Sequence, residues 1–202
     1  DICDPDQGCV SSILPACLPA KAWFIVNEFD YEQAGDDTAD FVELLVVGEQ
    51  TVQLEDYVVE LIDGSTGEPY ASYDLTSAGE QLHPGDRLIL GPEDMTSGLV
   101  SHSAVLTVPG DFLDNGGVNG NAIRVRRTNF DGSTSVVDSV SYEAAVPGAS
   151  EGGTHVGFDD QFSQTMTSFA RCPDGSDTED NAVDFASTTP SPGLENTCIE
   201  AQ

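Results

Sequence analysis

The chain has 202 residues, of which 39% are hydrophobic and 21% are charged, a composition that indicates a globular protein and excludes a disordered or fibrous one. Six basic residues stand against 36 acidic ones, which gives a formal net charge of −30. Nucleic acids and anionic lipid surfaces are bound through lysine and arginine, so this charge argues against both as partners. No apolar run is long enough to span a bilayer, so we expect no direct membrane insertion.

The acidity has two explanations that the sequence leaves open. The first is adaptation of the whole surface to salty water, because dissolved ions screen the repulsion between so many carboxylates. The second is that some of the carboxylates converge on bound Ca²⁺, a hard cation that prefers oxygen ligands.

From residue 22 onward the sequence predicts one β-strand after another. Short runs rich in β-branched and aromatic residues alternate with turns rich in Gly, Pro, Asn and Asp, and no segment has convincing helical periodicity. The predicted strands are 22–29, 41–47, two within 51–62, 70–75, 87–90, 103–108, 123–128, 135–142 and 161–170. Many short strands at near-regular spacing predict an all-β sandwich of about nine antiparallel strands.

The chain divides into two parts at residue 21. Residues 1–21 mix Asp, Pro, Cys and Ser without periodicity and predict an irregular, cysteine-containing arm, while 22–202 form the predicted sandwich with an acidic C-terminal segment. The most distinct local element is a hairpin, in which the strands at 123–128 and 135–142 flank the strong turn dipeptide Asp131-Gly132.

Five cysteines lie near the two ends of the chain, without zinc-site or C-x-x-C redox spacing. Such cysteines predict disulfides formed in an oxidising compartment. Pairing of Cys172 with Cys198 would close a C-terminal loop, and a second bridge would fasten the arm. The partners of Cys3, Cys9 and Cys17 stay open, because an odd number leaves one thiol over.

Three groups of residues resemble the lamin tail domain in its bacterial, secreted form. They are the opening group at 25–31, 37–38 and 41–44, the strand at 136–142, and the closing group at 171–175, 177–178, 180–181, 184–185, 189–193 and 196. The resemblance implies an immunoglobulin-like β-sandwich without catalytic residues of its own. Bacterial members occur alone or attached to secreted nucleases, hydrolases and surface proteins. The nuclear relatives bind proteins and sometimes DNA, but the acidity argues against DNA here.

Two acidic segments supply candidate metal ligands. One carries five acids within residues 174–184, and the other is the loop that precedes the strand at 41–47. Ca²⁺ takes six to eight oxygen ligands, which aspartates on such loops can provide. The alternative is that these side chains bond to their own backbone in turns. The candidate calcium ligands are Asp174, Asp177, Asp180, Asp184, Asp36 and Asp37.

Two further patterns carry weaker functional signals. Residues 148–152 match the G-x-S-x-G nucleophile pattern, but no strand precedes them and no helix follows, so we interpret the match as chance. The predicted strand at 123–128 holds three arginines, of which Arg124 and Arg126 share a face. They either pair with acids such as Asp138 or Glu143, or recognise a partner's carboxylates.

The sequence therefore predicts a non-catalytic interaction or scaffolding module that is secreted or displayed on a bacterial cell surface. Its expected partner is a protein or a glycan of the cell envelope, and Ca²⁺ is the one cofactor we consider. Two alternatives remain. One is a small metal-dependent hydrolase, or an accessory domain of a secreted nuclease or hydrolase, and the other is a glycan-binding sandwich.

Overall fold

The computed structural model describes residues 2–4, 8–10, 22–33, 36–96, 99, 103–157 and 167–198. Strands dominate this part of the chain, and its two α-helices have four residues each. The strands are β1 (Ile2–Asp4), β2 (Gly8–Val10), β3 (Trp23–Asp30), β4 (Phe41–Val47), β5 (Val52–Gln53), β6 (Tyr57–Asp63), β7 (Glu68–Asp74), β8 (Gln81–Leu82), β9 (Arg87–Gly91), β10 (Ser103–Thr107), β11 (Asn121–Thr128), β12 (Thr134–Tyr142), β13 (Ser168–Arg171) and β14 (Phe185–Thr188). The helices are α1 (Glu93–Thr96) and α2 (Asn181–Asp184).

Two sheets form the sandwich. The larger has six strands in the order β10-β9-β4-β3-β13-β14, and the smaller has four in the order β12-β11-β6-β7. The two sheets meet most closely where β12 lies against β3. The all-β sandwich predicted from the sequence is confirmed. The expectation of antiparallel pairing throughout is wrong for one pair, because β9 and β10 run parallel across a connection that contains α1.

The hydrophobic core fills the space between the sheets and follows the period of two expected for strands. Its members from β4 and β9 face those from β6, β11 and β12 across the sandwich. These residues are Val42, Leu44, Val46, Leu88, Leu90, Tyr57, Val59, Leu61, Ile123, Val125, Val140 and Tyr142. Burial of these alternating apolar side chains supplies the main driving force for the sandwich.

A β-bulge in β3 changes which side of the strand faces the core. Val26 pairs with Leu44 and Glu28 pairs with Glu43, so Asn27 is the extra residue. The inward-facing positions are therefore Val26 before the bulge and Phe29 after it. Asn27 and Glu28 lie outside the hydrophobic core, although both are completely buried. Polar groups buried in this way need hydrogen-bond partners, and the C-terminal segment supplies them.

The C-terminal segment, residues 172–198, is fastened to this polar side of the large sheet. Gly193 N donates to the Glu43 carboxylate at 2.7 Å, and Ser191 N donates to Glu28 at 2.8 Å. A disulfide joins Cys172 to Cys198 with a Cα–Cα distance of 5.5 Å, which confirms the predicted pairing. The large sheet is thus covered on both sides, by the small sheet and by this segment.

Predicted and observed elements differ mainly at the ends of the chain. The arm was expected to be irregular, but β1 and β2 pair there with Cys3 opposite Cys9, while Cys17 lies outside the described residues. Of the strand predicted at 161–170, the described portion is β13. The sequence also missed β8 and β14, which are too short to show a period. Within the described ranges, no helix is long and apolar enough to cross a membrane.

Candidate functional site

Arg171, the last residue of β13, is a completely buried arginine at the centre of the polar contacts. Its Nε donates to the carbonyl oxygen of Val26 in the large sheet at 2.8 Å. Its Nη2 donates to both oxygens of Asp138 in the small sheet, at 3.0 and 3.2 Å. Its Nη1 donates to Asp184 in the C-terminal segment at 3.0 Å. One guanidinium group therefore joins both sheets and the segment that covers them.

The remaining contacts of Arg171 close the cluster. Nη1 also contacts Asp177 at 3.2 Å, Nη2 lies 3.8 Å from Glu151, and the guanidinium carbon is 4.8 Å from the centre of the Phe185 ring. Burial alone would lower the pKa of Arg171. The surrounding carboxylates, Asp138 above all, more than offset that effect and leave the pKa raised. The guanidinium therefore stays charged.

Glu151 holds a proton in this cluster. Burial first, and then the charge of Asp138 beside it, raise the pKa of Glu151 from 4.5 to about 9. Its oxygens also accept from Ser139 N at 3.2 Å and from Asn181 Nδ2 at 3.1 Å. One guanidinium cannot balance four carboxylates, and the proton on Glu151 reduces the excess negative charge.

A second polar cluster fastens the C-terminal segment to β3 and β4. Asn27 Nδ2 donates to Glu43 at 2.8 Å and to Asp174 at 2.9 Å. Arg87 contacts the same two carboxylates, at 3.1 and 2.8 Å. Burial raises the pKa of Glu43 to about 7, although its bonds to Asn27 and Gly193 and the charge of Arg87 act in the opposite direction. Asp174, a predicted calcium ligand, thus binds an arginine and an amide.

A third cluster contains Asp37, Asp40 and Asp111, whose carboxylates offer oxygens within 4.8 Å of one another. Backbone N–H groups of Phe112 and Leu113 donate to Asp40 at 2.9 and 2.8 Å. Burial and the hydrogen bond shared with Asp40 raise the pKa of Asp37 to about 7, so these two side chains share a proton near neutral pH. Among the described residues, Asp37 Oδ1 is buried and has no hydrogen-bond partner.

The structure does not gather the six predicted calcium ligands in one place. Asp177 and Asp184 lie with Glu151 around Arg171, and Asp37 lies with Asp40 and Asp111, while Asp36 is exposed. Asp180 caps α2 by accepting from Ala182 N, and it also accepts from Thr154 Oγ1 at 2.6 Å. The alternative of side-chain turns therefore describes Asp180. Calcium binding by the six aspartates stays a prediction.

Several of these buried contacts were not predicted from the sequence. Asp138 alternates with Val140 and Tyr142, which put it on the core side of β12 and signalled a buried charge that needs a partner. Arg171 was the nearest cation to the acidic segment and could have been proposed. Glu151 and Asp111 carried no signal, because both lie in loops and approach their neighbours only in the folded chain.

The arginines of β11 form ion pairs with an acidic residue, as predicted, but not with the acids that the sequence suggested. Arg124 and Arg126 both contact Glu60 of β6, each at 2.7 Å. The partners suggested from the sequence, Asp138 and Glu143, are wrong: Asp138 pairs with Arg171, and both arginines form their ion pairs with Glu60. Arg126 Nη2 also donates to Thr134 Oγ1 of β12 at 2.5 Å.

Ser150, at the centre of the G-x-S-x-G match, has a structural role. Its Oγ accepts from Val146 N at 2.7 Å and lies 2.9 Å from Val146 O, which fastens the loop after β12. Only a 3-10 turn follows it.

No protein-family model matches the chain, and no curated protein matches it. The resemblance to the lamin tail domain therefore stays a prediction. The opening and closing groups that carry it do contact one another, because Asn196 Nδ2 donates to Asn27 O at 3.1 Å and Ser191 Oγ donates to Glu28 at 3.0 Å.

Replacement of Arg171 tests its central position. We expect Arg171→Met to lower the free energy of unfolding by about 3–5 kcal/mol, because it leaves the buried carboxylates of Asp138 and Asp184 without their cation. The matched control, Arg126→Met, removes a partly exposed pair and should cost at most about 1 kcal/mol. Urea unfolding followed by circular dichroism measures both, and equal losses would contradict the prediction.

The proton on Glu151 predicts how stability depends on pH. Its pKa is raised to about 9 in the folded protein from an ordinary value of 4.5, so the folded state holds a proton that the unfolded chain releases between these values. This contribution is fully present below about pH 4.5 and is lost as the pH rises towards 9. Glu151→Gln replaces the acidic proton with an N–H group, and its stability should fall less steeply.

Unfolding at pH 5, 7 and 9 measures this difference. Glu49→Gln makes the same chemical change in an exposed loop and should follow the wild-type profile. A Glu151→Gln profile as steep as that of wild type would refute the assignment of the proton to Glu151.

Calcium binding at the Asp37, Asp40 and Asp111 cluster can be tested by thermal melting. A bound ion would raise the melting midpoint in excess calcium relative to excess chelator, because it binds only the folded state. Asp111→Asn should remove most of that shift, whereas Glu49→Gln removes one negative charge from an exposed loop outside the cluster and should retain it. A wild-type midpoint that does not respond to the chelator would contradict the calcium prediction.

Proposed function

We propose that the chain is a non-catalytic interaction module, secreted or held at the cell surface, that presents a rigid sandwich to a protein or glycan of the cell envelope. The main support for this proposal is that the Arg171 guanidinium occupies the centre of the acidic cluster. A metal-dependent hydrolase keeps an open position on its metal for water or substrate. Here the Arg171 guanidinium lies against Asp177 and Asp184, where a cation would otherwise bind. These carboxylates support the fold.

The disulfide supports an extracytoplasmic location. Disulfides form and persist in oxidising compartments, and the Cys172–Cys198 bridge fastens the end of the described chain beside β13. The net charge of −30 supports partners other than nucleic acid. We also propose that the fold is of the lamin tail type, and the contacts between its opening and closing groups support that proposal.

The β11–β12 hairpin is the proposed contact surface. Phe130 at its turn is fully exposed, and Val136 on β12 is 49% exposed. The turn is well ordered by hydrogen bonds, since Asn129 N donates to Ser133 O at 2.7 Å and Ser133 N donates to Asp131 at 2.9 Å. Aromatic side chains are enriched in protein interfaces, and a rigid turn presents one at low entropic cost.

Binding to cell-envelope fragments of the source organism tests this proposal. We expect the immobilised chain to bind the fragments and Phe130→Ser to weaken binding about tenfold, which is the loss typical of an aromatic interface residue. Val118→Ser is the matched control, because Val118 is 95% exposed on a different loop. If the partner is a protein, protease treatment of the fragments should abolish binding. If it is a glycan, glycosidase treatment should abolish binding. A chain that binds no fragment would contradict the proposal.

The metal-dependent hydrolase remains the second candidate because Asp111, in the third cluster, is exposed. Ester, phosphodiester and glycoside substrates incubated with the chain and calcium, magnesium or zinc test it. We expect no turnover. Metal-dependent turnover that disappears in Asp111→Asn would overturn the non-catalytic assignment.

A further inference from the structure

Arg127 lies on the core side of β11, at a position where an apolar residue is expected. Ile123 and Val125 precede it on the same side of the strand, and both are completely buried. Its register partner on β6 is the buried Tyr57, and the Arg127 guanidinium carbon lies 5.7 Å from the centre of the Tyr57 ring. The Arg127 side chain therefore reaches the end of the sandwich between the two sheets.

Among the contacts that the structure describes, those of Arg127 differ from those of the other four arginines. Arg87, Arg124, Arg126 and Arg171 each form an ion pair with a carboxylate. Arg127 forms none with the carboxylates that the structure describes, and in the same part of the chain its buried Nε has no hydrogen-bond acceptor. Such buried donors are uncommon in folded proteins. In so acidic a chain, an arginine that none of the described carboxylates neutralises is a candidate to bind an acceptor on another molecule.

Two surface depressions open beside Arg127. The first has a volume of about 190 Å³, and the second, of about 250 Å³, shares Ala22 and Arg127 with it. In the first, Trp23 and Val137 provide apolar surface, while Asn129 and Ser135 provide hydrogen-bonding groups. The wall of the first depression thus combines the Arg127 guanidinium, a few polar groups and an apolar side. This arrangement suits a carboxylate attached to an apolar group.

We propose that the first depression, lined by Arg127, Trp23 and Val137, binds the C-terminal carboxylate of a peptide chain that ends in an apolar residue. The planar guanidinium of Arg127 matches a carboxylate with two parallel hydrogen bonds, and Trp23 and Val137 contact the last side chain. The inference rests on the proposed interaction function and names the partner's chemistry. Phe130 and Val136 belong to the same hairpin and extend the contact beyond the depression.

Two features narrow the choice of partner. The net charge of −30 repels an acidic partner, so the peptide that precedes the carboxylate is neutral or basic. A uronic acid also carries a carboxylate, but it surrounds that group with hydroxyls, and the Val137 and Ala22 side chains offer no hydrogen bond to them.

The full chain reports binding directly, because Trp23 is its only tryptophan and lines the depression. The probes are N-acetyl-lysyl-leucine, which is neutral overall, and its C-terminal amide, which lacks the carboxylate. We expect the acid to change the Trp23 fluorescence saturably and the amide to bind at least about tenfold more weakly, because it cannot form the charge-assisted bonds. Equal binding of the acid and the amide would overturn the proposal.

Variants locate the site. Arg127→Gln should weaken binding of the acid about tenfold, and Arg127→Lys should weaken it too, since lysine keeps the charge but loses the fork. The matched control is Arg126→Gln, which removes the same charge from the Glu60 side of β11 and should change the affinity by less than about twofold. Melting curves verify that each variant is folded. An Arg127→Gln variant that binds the acid with wild-type affinity would overturn the proposal. The comparison of the acid with the amide tests the proposal without any variant.

The remaining outcomes separate this inference from the proposed function. Absence of a fluorescence change up to about 10 mM acid, a concentration above that of weak specific binding, would overturn the site. Glucuronate that binds as tightly as the acid would overturn the peptide assignment in favour of an acidic glycan. Envelope binding unaffected by Arg127→Gln would overturn the site as the partner's anchor and leave the interaction function standing. Peptide binding without envelope binding would support the site and contradict the proposed function.

Discussion

The buried guanidinium of Arg171 is the interaction on which the rest of the structure depends. A charge removed from water is costly unless opposite charges and hydrogen bonds replace the water, and here Asp138 and Asp184 do so from two different parts of the fold. Because the donors of Arg171 point to the large sheet, the small sheet and the C-terminal segment, none of these can move without leaving a charge unpaired. The arrangement therefore fixes how the three parts pack.

The C-terminal segment belongs to the sandwich because the outer side of β3 and β4 carries buried polar side chains that need partners. Asn27, Glu28 and Glu43 are completely buried there, and backbone N–H groups of the segment satisfy them. The bulge in β3 places Asn27 beside Asp174, and Arg87 then bridges Asp174 to Glu43. Buried polar contacts of this kind are directional, so they favour one position of the segment over the many that apolar contact alone would allow.

The arginines differ in whether they hold the fold together or are proposed to bind a partner. Four of them form ion pairs with carboxylates, and these pairs hold parts of the fold together. Arg127 is the exception, and it lies on the same hairpin as the exposed Phe130. The proposed recognition surface is therefore the hairpin that carries both residues.

Local patterns in the sequence predict most of the strands and the class of the fold. The bounds of β4 and the β11–β12 hairpin follow from local patterns, because alternation and turn chemistry act between residues close in the chain. The tertiary structure alone decided which charges meet. Glu60 takes Arg124 and Arg126 because β6 adjoins β11, and Glu151 and Asp138 reach Arg171 across the gap between sheets. Coulomb attraction depends on distance in space, and the sequence does not contain that distance until the strands have packed.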